Sequence, residues 1–212
     1  ATIKGGISGD GDVNVTGIST IDGTAPGGAV IEPVITANQY DYLHLKGDIE
    51  NNGEIRLNDT GVGSAILYMD GDVDLTGDGS VEFITNGQNY ISAVGTGGTL
   101  TVGADQTIHA GSGTSGEVRV GTTNLGLISA DGGTLTLASS DKTNTATGTI
   151  QAVNGGTLKV TNITLDNTVG TLEVDAGSAI RLTSAVIQGG ISGLGDVILD
   201  SPSTIDGTGP GG

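Results

Sequence analysis

The chain is poor in bulky and reactive side chains. Its 212 residues include no cysteine, no tryptophan, one phenylalanine and four tyrosines. Without cysteine, disulfide bonds cannot stabilise the fold, so its stability must come from packing and backbone hydrogen bonds. A hydrophobic fraction of 35%, mostly branched aliphatics and alanine, is too high for a disordered chain and favours strands. A core with so few aromatic rings must be thin, as in a narrow solenoid.

Positive charge is scarce as well. The chain has 7 Lys and Arg residues against 24 Asp and Glu residues, a formal net charge of −17. Scattered bases offer no continuous track for phosphates, so we do not expect nucleic-acid binding. No apolar run approaches the length of a membrane span, and we do not expect membrane insertion. The excess of acids permits contact with divalent cations.

Glycine is abundant, with 40 residues, and it marks an internal repeat. Residues 1–28 and 185–212 are identical at 19 of 28 positions when Ala1 is aligned with Ala185 and no gap is introduced. We interpret the chain as one period of a long array, residues 1–184, followed by the start of the next period. The predicted organisation is a module start over 1–28, an irregular seam over 29–52, a solenoid body over 53–184 and the next module start over 185–212.

Two details of this organisation remain open at this stage. Residues 29–52 contain Pro33, Tyr40 and His44 but little glycine, so they are predicted as an irregular coil, a strand edge or a seam between modules. The Pro-Gly-Gly segments at Pro26 and Pro210 are either corners of a continuous rod or linkers between beads.

A shorter pattern recurs inside the period. It consists of glycine, any residue, an aliphatic residue, any residue and a second aliphatic residue, which is typical of a strand with one buried side. The pattern begins at Gly11, Gly53, Gly71, Gly79, Gly98, Gly116, Gly133, Gly156, Gly195 and, one residue longer, Gly177. A second element, Ile-x-Ala before a glycine turn, begins at Ile91, Ile108, Ile128 and Ile150.

Two or three short strands in each turn of about 17–23 residues predict an all-β fold, a parallel β-helix or β-solenoid of about nine coils per period. In such a fold, like positions stack above like. The alternative is an antiparallel β-sandwich, because turn signals every 8–12 residues also fit that fold.

The charged residues occupy outward positions between aliphatic ones. Arg56, Arg119, Lys159 and Arg181 share this position with Glu82 and Glu173. We predict a column of mixed charge, with Lys159, Glu173 and Arg181 as neighbours, on a solvated sheet face. His109 should also point to solvent. No pair of carboxylates stands beside a base, so no catalytic residues are predicted.

Acidic residues next to glycine are the candidates for metal binding. They are Asp10, Asp12, Asp70, Asp72, Asp74 and Asp78. Calcium needs six to eight oxygen ligands, and the segment from Asp70 begins like an EF-hand loop. It has Leu75 in place of the glycine at position six and Val81 in place of the glutamate at position twelve. We therefore expect ordinary turn aspartates, with calcium as the one candidate cofactor.

The glycine-headed strands support a resemblance to a known class of protein. The segments 97–100, 132–135 and 155–158 all read Gly-Gly-Thr-Leu. Together with the Ile-x-Ala elements, they resemble the passenger domains of bacterial autotransporters and filamentous-haemagglutinin-like adhesins. The resemblance implies a right-handed β-helix, secretion, a surface or matrix role and no catalytic residues.

Three functions follow as hypotheses. The first is a structural or adhesive shaft of an extracellular repetitive surface protein or filament, which associates end to end or continues into further modules and contacts glycans or a neighbouring cell. The second is a polysaccharide-active enzyme that depends on His44, Lys46, Arg56 or Arg119. The third is a calcium-dependent carbohydrate-binding module, whose melting temperature would rise with calcium.

Overall fold

The alternation of aliphatic and polar residues produces short strands along the whole described chain. A computed structural model describes residues 1–95 and 97–207, and it contains 27 strands there. The first fourteen are β1 (Thr2–Lys4), β2 (Gly6–Ile7), β3 (Asp12–Val15), β4 (Ile18–Gly23), β5 (Ala29–Ile31), β6 (Val34–Asn38), β7 (Tyr42–Asn51), β8 (Glu54–Asn58), β9 (Ala65–Thr76), β10 (Ser80–Phe83), β11 (Asn89–Ala93), β12 (Thr99–Val102), β13 (Thr107–Ala110) and β14 (Ser115–Val118). The others are β15 (Gly121–Asn124), β16 (Leu127–Asp131), β17 (Thr134–Ala138), β18 (Lys142–Asn144), β19 (Thr149–Val153), β20 (Thr157–Thr161), β21 (Thr164–Asp166), β22 (Thr171–Val174), β23 (Ala179–Thr183), β24 (Val186–Gln188), β25 (Ser192–Gly193), β26 (Asp196–Leu199) and β27 (Thr204–Asp206).

The strands form three parallel ladders, which we call faces 1, 2 and 3, and each turn of the chain visits them in that order. Face 1 contains β1, β4, the first half of β7, the first half of β9, β11, β14, β17, β20, β23 and β26. Face 2 contains β2, β5, the second halves of β7 and β9, β12, β15, β18, β21, β24 and β27. Face 3 contains β3, β6, β8, β10, β13, β16, β19, β22 and β25.

This arrangement confirms the predicted β-solenoid of about nine turns. Every strand pairing is parallel, so the antiparallel sandwich is wrong for the described residues. The coils are less uniform than the motif spacing indicated: the coil from Leu182 to its partner Leu199 is short, whereas the coil from Ile91 to its partner Val118 is much longer. The extra residues lie in the corners between faces. The right-handed sense of winding stays a prediction.

The core is a set of aliphatic columns that run along the solenoid axis. On face 1, one column passes through Leu43, Leu67, Ile91, Val118, Leu137, Val160 and Leu182, all of them buried. On face 3, three of the four predicted Ile-x-Ala elements stack directly, because Ile108, Ile128 and Ile150 are register partners, whereas the element at Ile91 lies on face 1. Burial of each such side chain contributes roughly 1.5–3 kcal/mol, so a thin core can still hold the coils together.

The glycine-headed strands do not form one stack, which corrects the expectation that like always lies above like. Those that begin near Gly116, Gly133, Gly156, Gly177 and Gly195 are successive strands of face 1. Those near Gly53 and Gly79 lie on face 3, and Gly98 precedes a strand of face 2. The three faces accept the same pattern because each needs only an inward aliphatic row.

Residues 29–52 belong to the regular stack and are not an irregular seam. They form β5, β6 and β7, which pair in register with the coils before and after them. Tyr40 makes the corner before β7 with a positive φ of 66°, and its hydroxyl donates to the Val62 carbonyl. The low glycine content reflects a change in corner chemistry and not a break between modules.

The first Pro-Gly-Gly segment is a corner. Pro26 lies between β4 on face 1 and β5 on face 2, and the next two residues, Gly27 and Gly28, have φ values of 97° and 70°. Glycine adopts this left-handed conformation without strain. β5 then stacks on both β2 and β7, so the solenoid runs through the segment. Pro210 and its neighbours lie outside the described residues.

A buried row of asparagines closes the corner between faces 2 and 3. The Asn124 side-chain amide donates to the Asn144 carbonyl oxygen at 2.9 Å, and the Asn144 amide donates to Asn167 at 2.8 Å. Asn144 also donates to the Thr171 main-chain carbonyl at 2.8 Å. Each amide thus satisfies buried polar groups of its neighbours and fixes the axial register of three coils.

Candidate functional site

The end of the stack at the last described coil exposes side chains that would otherwise form core. Val197 and Leu199 of β26 are 42% and 59% exposed, although their register partners Ile180 and Leu182 are fully buried. Ile205 of β27 is 46% exposed and stacks on the buried Ile187. This coil therefore presents an apolar surface that one more coil would cover.

The predicted column of mixed charge is divided between two faces. Arg119, Lys159 and Arg181 are on face 1, whereas Glu173 is on face 3 next to Gln151 and Ser192. The expected grouping of Lys159, Glu173 and Arg181 is therefore wrong. Lys159 and Arg181 are register partners of like charge, and the Arg181 guanidinium instead pairs with the Asp200 carboxylate.

Face 3 carries a charged cluster that the sequence pattern did not reveal. Arg56 and Glu82 are register partners, as are Glu82 and His109. The Arg56 guanidinium donates to the Glu54 carboxylate at 2.7 Å, and the His109 Nε2 lies 3.9 Å from the Glu82 carboxylate. We call Glu54, Arg56, Glu82 and His109 the face-3 cluster. It places two carboxylates beside a base, so the expectation from the sequence that no such pair exists is wrong.

The cluster holds its two carboxyl groups in different protonation states. Burial and a hydrogen bond with Glu54 raise the pKa of Glu82 to about 7. Burial opposes ionisation of Glu54 too, but hydrogen bonds from Glu82 and Arg56 lower its pKa. Burial lowers the pKa of His109. Near neutral pH, the pair shares one proton, with Glu82 as its acid partner.

This geometry predicts a pH-dependent stability. The folded chain binds the Glu82 proton more tightly than the unfolded chain, so stability falls as pH rises from 4.5 to about 7. Because the side chains are partly exposed, we expect a loss of roughly 1 kcal/mol or less. In urea unfolding between pH 5 and pH 8, Glu82→Gln should reduce the dependence of the unfolding free energy on pH. Glu173→Gln, on the same face, should keep the pH dependence of the wild type. Equal slopes in all three proteins would contradict the shared proton.

Face 1 carries most of the aromatic side chains on its outer surface. Ile18, Tyr42, Ile66 and Tyr90 are successive register partners in one axial row. The Tyr42 and Tyr68 rings meet edge to face with centroids 5.9 Å apart. The Arg119 guanidinium carbon lies 3.5 Å from the Tyr90 ring centroid, a cation–π contact.

A shallow cleft of about 310 Å³ lies beside Tyr90. Its wall carries amide, hydroxyl and charged groups, which include Asn86, Gln88, Glu117, Thr136 and Lys159. The four residues suggested for an enzyme do not meet there or elsewhere. His44, Lys46 and Arg119 are on face 1, and Arg56 is on face 3. The enzyme hypothesis, which needs only one of the four, stays a prediction.

The calcium candidates are spread over several coils. Asp10 and Asp12 are exposed near the first coil, and Asp70 lies 3.9 Å from the Lys46 ammonium. The remaining candidates are Asp72, which accepts hydrogen bonds from the Thr99 amide and hydroxyl, Asp74, on the outer side of face 2, and Asp78, in the corner after β9. Within residues 1–95 and 97–207, no three His, Cys, Asp or Glu side chains are grouped to hold a metal ion. Calcium binding stays a prediction.

The chain shows no significant similarity to any protein-family model, curated protein or solved structure. The part of the chain that the structure covers also has no helix with the length and hydrophobicity to cross a membrane. Function must therefore be inferred from three surfaces, which are the apolar end of the last described coil and the outer surfaces of faces 1 and 3.

Proposed function

We propose that this chain is a module of a continuous β-solenoid shaft, a structural component of an extracellular repetitive surface protein or filament. One observation carries the proposal: the first Pro-Gly-Gly segment is a corner inside the stack and not a linker. The corresponding segment at 210–212 follows residues with the same sequence pattern. By analogy, we expect a following module to extend the same stack of coils.

The exposed apolar end supports the same proposal. Val197, Leu199 and Ile205 already occupy inward positions and lack only a further coil to cover them. A coil end with exposed core positions favours stacking by the next module over isolation in water. Secretion and a place on the cell surface rest on the resemblance in the glycine-headed motifs.

Hydrogen exchange tests whether the stack continues. We define the two-module chain as residues 1–212 followed directly by a second copy of residues 29–212, so that residues 185–207 keep their sequence. In the single module, amides of β26 and β27 should exchange quickly, because they lie at a fraying end. In the two-module chain, the same amides should be protected at least a hundredfold more. Unchanged exchange would show that the modules are beads on a linker.

A second candidate function, glycan contact, is favoured by the cleft beside Tyr90. Its amide, hydroxyl and charged groups suit the hydroxyls of a sugar, and the row of Tyr42 and Tyr90 adds aromatic surface. Glu117→Ala and Lys159→Ala should each weaken binding to a positive glycan at least tenfold on a glycan array. Lys4→Ala, a substitution of an exposed lysine outside the cleft, serves as the control. If neither the wild type nor any variant binds a glycan on the array, glycan contact is excluded as a function of the cleft.

A further inference from the structure

The two copies of the repeated segment fold in the same way. With Ala1 aligned to Ala185, the strands β1, β3 and β4 of the first copy correspond to β24, β26 and β27 of the second. The pairing of β1 with β4 joins Ile3 to Ile21, and the pairing of β24 with β27 joins the aligned residues Ile187 and Ile205. The similar sequences thus specify the same coil with the same register.

The two copies nevertheless lie on different faces. β1 and β4 are on face 1, whereas β24 and β27 are on face 2. β3 is on face 3, and its counterpart β26 is on face 1. All three corresponding strands have moved by one face in the same direction. The chain from β1 to β24 therefore makes eight full turns and advances by one further face.

We infer that consecutive modules of the shaft are rotated by one face, about a third of a turn, relative to each other. The inference rests on the proposed continuity of the stack. Because each strand follows its predecessor by one corner, the third copy of the segment would begin on face 3, and only the fourth would return to face 1. A rise of about 4.8 Å per turn gives an axial step of about 40 Å per module.

The rotation is tolerated because both faces offer aliphatic inward positions to the repeated segment. Ile21 on face 1 and Ile187 on face 2 are both buried, and Ile187 stacks on the buried Leu165. Lys142 interrupts the inward column of face 2 in an earlier coil, but not where the second copy stacks. The rotation also changes the direction in which the outer surfaces of successive modules point. The cleft beside Tyr90 is presented in three directions around the shaft, so a partner can approach from any side.

Engineered disulfides test the face of the second copy in the single module. The chain has no cysteine, so a new pair forms without competition. Asp166 and Gln188 are register partners on face 2, and neighbouring strands lie within disulfide reach. Asp166→Cys with Gln188→Cys should close under mild oxidation. Arg181→Cys with Gln188→Cys, which joins faces 1 and 2, should stay open. The reverse result would overturn the rotation even if the shaft is continuous.

Electron microscopy of the two-module chain tests the rotation between modules. Lys159 is exposed on face 1, so Lys159→Cys in both copies can carry a biotin–streptavidin label. The rotation predicts labels about 40 Å apart along the rod that project from different sides. Labels on the same side of a straight rod would refute the rotation and leave the shaft intact. Labels at variable angles on separate beads would refute the shaft itself.

Discussion

Replacing Gly116 with leucine is expected to unfold the middle coils, although leucine is the register partner of Gly116 in the next coil. A Cβ at Gly116 would lie 2.2 Å from Cγ of Phe83, the one phenylalanine of the chain. Phe83 is fully buried and points across from face 3 into the space that Gly116 leaves on face 1. Glycine is therefore required at position 116 because the Phe83 ring fills the space of a side chain, and not because the backbone turns there.

A double-mutant cycle measures this dependence. Phe83→Ala alone should cost about 3–5 kcal/mol of unfolding free energy, because it leaves a cavity. The double variant Phe83→Ala with Gly116→Leu should lose less unfolding free energy than Phe83→Ala alone, since leucine fills the vacated space. Ile180→Ala, several coils away, should be additive with Phe83→Ala. A double variant that is no more stable than Phe83→Ala, measured by urea unfolding, would contradict the packing.

The second large effect concerns Lys142, which occupies an inward position of face 2 between Thr122 and Leu165. Its residue exposure is 2%, and its ammonium donates to the Ala138 carbonyl at 3.1 Å and to the Ser140 carbonyl. Burial lowers the pKa of Lys142 to about 8 from 10.5, although nearby acids oppose the shift. At neutral pH, the fold therefore contains a buried charge.

The lowered pKa makes the protein more stable in mild alkali. Between pH 8 and 10.5 the unfolded chain binds the Lys142 proton more tightly than the folded chain, so stability rises with pH in that window. From pH 7 to pH 9.5, we expect a gain of about 2 kcal/mol in urea unfolding. Lys142→Met should abolish this gain, and Lys159→Met, at an exposed position, should retain it. A gain that survives in Lys142→Met would rule out the lysine as its cause.

The sequence was sufficient to predict the solenoid but not the assignment of strands to faces. Alternation around glycine identifies strands with one buried side, and its recurrence identifies stacking. Corner length varies, however: β7 and β9 cover two faces with hardly any corner, while the corner between β8 and β9 takes six residues, 59–64. Spacing alone therefore could not show that Arg56 meets Glu82, or that Glu173 lies away from Lys159.

Buried polar residues were missed for a related reason. Lys142 lies in a polar segment that is typical of an exposed loop, and only its place two positions before Asn144 connects it with the core. The recurrence of Asn124, Asn144 and Asn167 at nearly the coil spacing was the available signal. The residues two positions before each asparagine, Thr122, Lys142 and Leu165, share one inward column.

Cryo-electron microscopy of the two-module chain at strand-resolving detail tests the continuous shaft most directly. We expect one rod in which parallel strands about 4.8 Å apart continue without interruption through residues 185–212 and into the second copy. A gap in the ladders after residue 207, with two solenoids joined by an extended Pro-Gly-Gly linker, would contradict it.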